Sequence, residues 1–180
     1  PNLLATLVVD RAIRNDDGAL HWYCFGPCAP HNFFWYEDPD SKQLWLIPWD
    51  LDNAFENLGV GGTTAMFTAI ADPLGQITND CQPFAAGAFG LLQRSAACDP
   101  IIATVTPLTT EYDALRAQLV AGPMSAASVT EQLATWSAQI EPSVAEYSAA
   151  HPTALTVEQW KAAVATLQAD IINSLAGEGR

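Results

Sequence analysis

In the stretch IPWDLDNAF, residues 47–55, two carboxylates one residue apart, Asp50 and Asp52, follow a short apolar approach. A charge placed at the end of what reads as a buried strand is unfavourable unless a cation, a positive side chain or water compensates it. The pair is therefore a solvated turn, a helix cap, or part of a cation site. An amide, Asn32, precedes Asp50 by 18 residues, enough chain for two strands of about six residues and a turn. Carboxylate and amide oxygens are hard donors, suited to Mg2+ or Mn2+ ions that keep several waters. Further upstream, Asp16-Asp17-Gly18 places two more carboxylates in a polar loop. The plain alternatives are that Asp52 caps a helix starting at Asn53 and that Asp16 and Asp17 merely end a helix in a polar loop.

Bulk properties narrow the partners. The 180 residues carry seven Lys plus Arg against twenty Asp plus Glu, a formal charge of −13. Such a surface repels phosphate backbones and anionic membranes, so nucleic acid is a poor partner. The length suits one domain or a large piece of one. There is no run of 18 apolar residues to cross a membrane. The chain starts at Pro1 without a leader, so a segment of a longer protein is expected. Its four cysteines, Cys24, Cys28, Cys81 and Cys98, lie among turn-forming residues. An even count there points to two disulfides and an oxidising compartment. Proximity favours 24–28 with 81–98, and zinc spacing is lacking.

The elements that must position these residues follow from periodicity. In residues 2–14, Leu3, Leu4, Leu7, Val8 and Ala12 share a helical face, with Gly18 turning the chain soon after. Residues 15–31 read as a long polar and aromatic loop. The segment NFFWYEDPDSKQLWLIPW reads as a β-hairpin, two apolar runs around turn residues 37–42. Residues 56–107, rich in Gly and Pro, read as loops and short helices. From 108 onward the chain reads as helical: one helix ends at Gly122, and a second starts on Ser125. A third opens on a Thr156–Gln159 capping box. Pro142 predicts a kink or break. The stripes Val129, Leu133, Trp136, Ile140, Val144, Tyr147 and Trp160, Val164, Leu167, Ile171, Leu175 are expected in the core. Trp35, Trp45 and Trp49 are expected as core or pocket walls, and His21, His31 and His151 as structural residues.

The order of parts, a helix, an Asp loop, an Asn, a hairpin and an Asp, is that of the large lobe of protein kinases. The wording HNFFWYEDPDSKQLWLIPWDLDNAF, preceded by an Asp-Gly loop, resembles the CotH kinases, the spore-coat protein H family of atypical kinase-like proteins. The likeness is strongest over residues 15–55 and continues weakly into the helical tail. It implies an α+β fold, a mainly helical kinase-like large lobe whose hairpin carries the Asn and the Asp-x-Asp, with the small lobe absent. Residues 1–107 would form the catalytic core segment and 108–180 its helical C-terminal part. Asp17, or its neighbour Asp16, would be catalytic. Asn32 and Asp50 would bind the nucleotide cofactor, and Asp50, Asn32 and Asp52 the metal. The cysteine-bearing insert LHWYCFGPCAP departs from the family pattern and leaves Asp16 and Asp17 as alternatives.

The resemblance implies ATP and Mg2+ or Mn2+ as cofactors, and a coat or cell-surface protein as substrate. The location would be extracytoplasmic, secreted or in the envelope or spore coat. A kinase also needs a small-lobe lysine; only Lys42 and Lys161 are present, and neither precedes the Asp loop. Two rival readings keep the fold: a non-catalytic coat or surface binding module, and an enzyme moving AMP or an amino acid instead of phosphate.

Overall fold

The structure, a computed structural model, describes residues 2–24, 26–29, 31–55, 74–76, 80–85 and 91–177. The first helix, α1 (Asn2–Ala12), buries Leu4, Leu7, Val8 and Ala12 as its periodicity predicts. It ends without a glycine. Arg14 takes the left-handed conformation (φ 52°), its N–H bonds to the Arg11 carbonyl at 3.1 Å, and the Asn15 N–H bonds to the Asp10 carbonyl at 3.0 Å. That pair of bonds is a Schellman motif, and it turns the chain four residues before Gly18.

The expected loop at 15–31 contains strands. β1 (His21–Cys24) and β2 (Cys28–Ala29) form a tight hairpin, joined by the Cys24–Cys28 disulfide. β1 also pairs along its length with β6 (Leu92–Ser95), and β6 with β5 (Phe84–Ala85), giving a sheet of order β2-β1-β6-β5. The strand character was hidden because β1's main partner lies far along the chain. The second disulfide, Cys81–Cys98, ties the approach to β5 to the turn that leaves β6. After that turn, Asp99 caps the short helix α2 (Pro100–Ala103), accepting from the N–H groups of Ile101 and Ile102 at 2.8 and 3.0 Å. The Gly-rich part of the expected irregular region, 56–73, lies outside the described residues.

The predicted hairpin is present as β3 (Phe33–Glu37) and β4 (Leu44–Pro48), in register Phe33↔Pro48 through Glu37↔Leu44. One face carries Trp35 and the buried Leu46, with β4 against α1. The other face presents Phe34, Tyr36, Trp45 and Ile47, all exposed. Trp45 and Trp49 are therefore not core residues, because alternation puts them on the side that no described element covers.

The chain divides into two compact units, Pro1–Ala117 and Gln118–Arg180. Helix α3 (Thr109–Ala121) spans the division. In the second unit α4 (Ala126–Ala150) starts on the Ser125 cap and pairs with α5 (Val157–Gly177). The Thr156–Gln159 capping box opens α5 with reciprocal bonds of 2.9 and 3.2 Å. Pro142 neither breaks nor ends α4; it forfeits a single backbone bond within a long helix. Val129, Ile171 and Leu175 are buried, but Trp136, Ile140 and Tyr147 are 52, 50 and 58% exposed. Periodicity identifies which residues share a face, not whether a neighbour covers it.

Disulfide pairing accounts for every cysteine. Thiol titration of denatured, unreduced protein should accordingly find none, and four only after reduction. Four thiols before reduction would contradict the pairing.

Candidate functional site

The site is assembled where the turn after α1 meets the open end of the β3–β4 hairpin. The Schellman turn delivers three consecutive polar residues, Asn15, Asp16 and Asp17, into the interior, all less than 10% exposed. Each is held differently. The Asn15 amide donates to Asp10 Oδ1 at 2.7 Å. Asp16 accepts from the buried Arg11 guanidinium at 3.0 Å, an ion pair whose side chains are 4 and 2% exposed. Gly18 packs closely on the Asp10–Asn15 pair: a Cβ there would collide with the Asn15 amide and lie 2.7 Å from Asp10 Oδ1, so a larger residue would have to displace those side chains.

Asp17 faces the opposite way. Its Oδ2 accepts from Asn32 Nδ2 at 2.9 Å and from Asn53 Nδ2 at 3.1 Å. The same Asn32 amide also donates to the Asp17 main-chain carbonyl at 2.9 Å. Because both of its neighbours are acceptors, the nitrogen of Asn32 must point at Asp17, which turns Oδ1 of Asn32 away from the loop. The Tyr23 hydroxyl bonds to the Asp17 carboxylate as well; burial first, then that bond and the charge of Asp17, push the phenol above its usual range. Tyr23 in turn stacks on His31, with ring centroids 3.9 Å apart. The second oxygen of Asp17, Oδ1, is buried and has no hydrogen-bond partner among the described residues.

The hairpin brings Asp50 close by backbone pairing. The Trp49 N–H donates to the Asn32 carbonyl at 2.9 Å, so Asn32 and Asp50 flank one backbone bond at the mouth of the hairpin. Asp50 itself is left-handed (φ 55°, ψ 61°) and exposed, and opens a 3-10 turn over Leu51–Asn53. Asp52, also exposed, accepts from Asn53 Nδ2 at 3.2 Å. Phe55 closes the segment, its N–H bonded to the Ile13 carbonyl at 2.7 Å. Asn32, Asp50 and Phe55, like Arg14, are non-glycine residues with positive φ. Each such residue is strained, and these four border one small region.

The structure therefore joins Asp17 to Asn32 and to Asn53, and Asn53 to Asp52; Asp50 is placed near Asn32 by the backbone only, and Asp16 is set apart on Arg11. Asn53 and Tyr23 escaped the sequence reading. Asn53 follows Asp52 directly and read as the start of a helix, and Tyr23 read as part of a loop. His21, by contrast, is buried as a structural residue. Burial lowers its pKa, opposed by the charge of Asp16 and a bond with Gln93. Among the described residues, no group of three or more His, Cys, Asp or Glu side chains could hold a metal unaided.

Fold and site together define an α+β protein in which a helix-terminal loop and a hairpin mouth converge on an amide-held carboxylate. The chain belongs to the CotH kinase family: the family's profile, described as CotH kinase protein, matches residues 1–174. Neither a curated protein nor a solved structure matches the chain. Among the described residues no helix is long and apolar enough to cross a membrane.

Two substitutions test the buried support. Asp16→Asn leaves the Arg11 charge without its carboxylate and should cost about 3–5 kcal/mol in denaturant unfolding, the range for half of a buried pair; a loss below 1 kcal/mol would contradict this. Burial raises the pKa of Asp10 from 3.8 to about 6, against the pull of Asn15 and Arg11. Between those values the folded state holds the extra proton, so this group's contribution to stability is complete below the lower value and is lost as pH rises through the upper one. Asp10→Asn should therefore gain stability relative to wild type as pH rises from 4 to 7, by an amount on the order of 3 kcal/mol. A difference that does not change with pH would refute it.

Proposed function

We propose that this chain carries the phosphoryl-transfer site of a metal-dependent, ATP-using kinase that modifies side chains of extracytoplasmic proteins. The observation that carries the reading is the Asn32 amide, which holds Asp17 through its nitrogen and so keeps its oxygen from bonding that loop, while the Asn32 backbone pairs with Trp49, next to Asp50. One amide oxygen and one or two carboxylates suit Mg2+ or Mn2+, which complete their shells with water and substrate phosphates. The donors suit such an ion because Asp50 and Asp52 are exposed carboxylates and the Asn32 nitrogen, not its oxygen, is the atom bonded to Asp17. When bound, the ion would neutralise charge developing on the transferred phosphate.

The chain's own residues then divide the work. Asp50 and Asn32, with Asp52, would hold the nucleotide's metal. Asp17, rather than Asp16, would receive the acceptor hydroxyl, because Asp16 is buried in an ion pair with Arg11 while Asp17 is held at the hairpin mouth by Asn32 and Asn53. It would act by orientation more than by basicity. Lys42 sits at the far turn of the hairpin, near Glu37, and Lys161 pairs with Glu141. The phosphate-binding lysine that kinase chemistry requires would thus come from sequence outside these 180 residues. Two disulfides are compatible with an extracytoplasmic setting.

In the intact protein, Asp50→Ala should lower Mg2+- or Mn2+-dependent phosphate transfer about a hundredfold or more, with unfolding midpoints unchanged. Mass spectrometry of a modified partner should show a phosphate adduct. Transfer that survives the substitution would remove Asp50 from the site, and an adenylyl adduct would replace phosphoryl transfer with AMP transfer.

A further inference from the structure

We infer that Asn53 is a positioning residue that ties the Asp17 carboxylate to Asp52 and so couples the acceptor-binding group to the metal side of the site. This rests on the phosphoryl-transfer reading above and adds a residue to it. The geometry is specific. A single side-chain NH2 has two hydrogens, and Asn53 directs its nitrogen at two carboxylate oxygens, Asp17 Oδ2 at 3.1 Å and Asp52 Oδ1 at 3.2 Å. Ionised carboxylates only accept, so the amide orientation is determined and both donors are used. A donor between two negative groups also offsets their repulsion, which would otherwise push the Asp17 loop and the 3-10 turn apart.

The effect on Asp17 is an asymmetry. Its Oδ2 receives Asn32 and Asn53, while Oδ1 is buried with no hydrogen-bond partner among the described residues. Two donors from different elements, β3's approach and the turn after β4, prevent the carboxylate from swinging. The turn bearing Asn53 is itself anchored, by the Trp49–Asn32 bond at 2.9 Å on one side and the Phe55–Ile13 bond at 2.7 Å on the other. Displacing Asp52 therefore moves the amide that holds Asp17.

Steady-state kinetics of Asn53→Ala in the intact protein test this. The expected result is a fall in kcat of about tenfold or more, with the half-saturating ATP and Mg2+ concentrations within about twofold of wild type. Asn53→Asp, similar in size but without the donor, should be equally impaired. Unchanged kcat, or a loss confined to Mg2+ half-saturation, would overturn the inference. A second readout needs no turnover: the side-chain amide resonances of Asn53 in nucleotide-free protein. They should exchange slowly with water and shift in both Asp17→Asn and Asp52→Asn. A solvent-like amide, insensitive to either change, would also overturn it. Were the wild type to transfer nothing, the kinase reading would fall, and the amide resonances would still decide the clamp.

Discussion

The Asn32–Asp17 contact is the constraint on which the remaining geometry depends. One amide nitrogen satisfies both a main-chain carbonyl and a buried carboxylate, joining the loop after α1 to the mouth of the β3–β4 hairpin. Hydrogen bonds to charged groups are worth more than neutral ones, and losing the donor leaves the acceptor buried and unsatisfied. The contact also determines where the other end of the amide points. With Asp17 bonded to its nitrogen, the oxygen of Asn32 is directed away from that loop. The left-handed backbone at Asn32 and Asp50 is tolerable because these bonds over-determine it.

Beneath the hairpin mouth lies a layer of buried polar pairs. Arg11 and Asp16 form a buried ion pair, Asp10 and Asn15 a buried hydrogen bond, and Gly18 packs on the latter. Such groups are expensive to bury and are weak evidence for stability. Their effect is geometric. They pin three successive residues of the loop, so that Asp16 and Asp17, adjacent in sequence, face different partners. That division separates a supporting acid from one presented to the hairpin mouth.

What the sequence disclosed follows the range of the interactions involved. The β3–β4 hairpin was legible because both strands and their turn are local, and the C-terminal helices because their caps at Ser125 and Thr156 are written within a single turn. The Asn and Asp-x-Asp wording pointed to the family that the profile match establishes. The rest depended on distant partners. β1 hid in an aromatic loop because β6 completes it. The Schellman turn at Arg14 carried no glycine to announce it. Asp16 and Asp17 could not be separated without Arg11 and Asn32 in place. Asn53 gave no signal, because its role comes from two carboxylates, one of them 36 residues away. Exposed Trp136 and Tyr147 show the same limit in reverse, a helical stripe with no described cover.

The most direct measurement is a crystal structure of the intact protein with Mg2+ and a non-hydrolysable ATP analogue. The account predicts the ion about 2.0–2.1 Å from both Asn32 Oδ1 and an Asp50 carboxylate oxygen, with Asp17 outside the coordination shell and still held by the Asn32 nitrogen. A cation bound elsewhere, or an Asn32 amide rotated off Asp17 to reach it, would contradict the account.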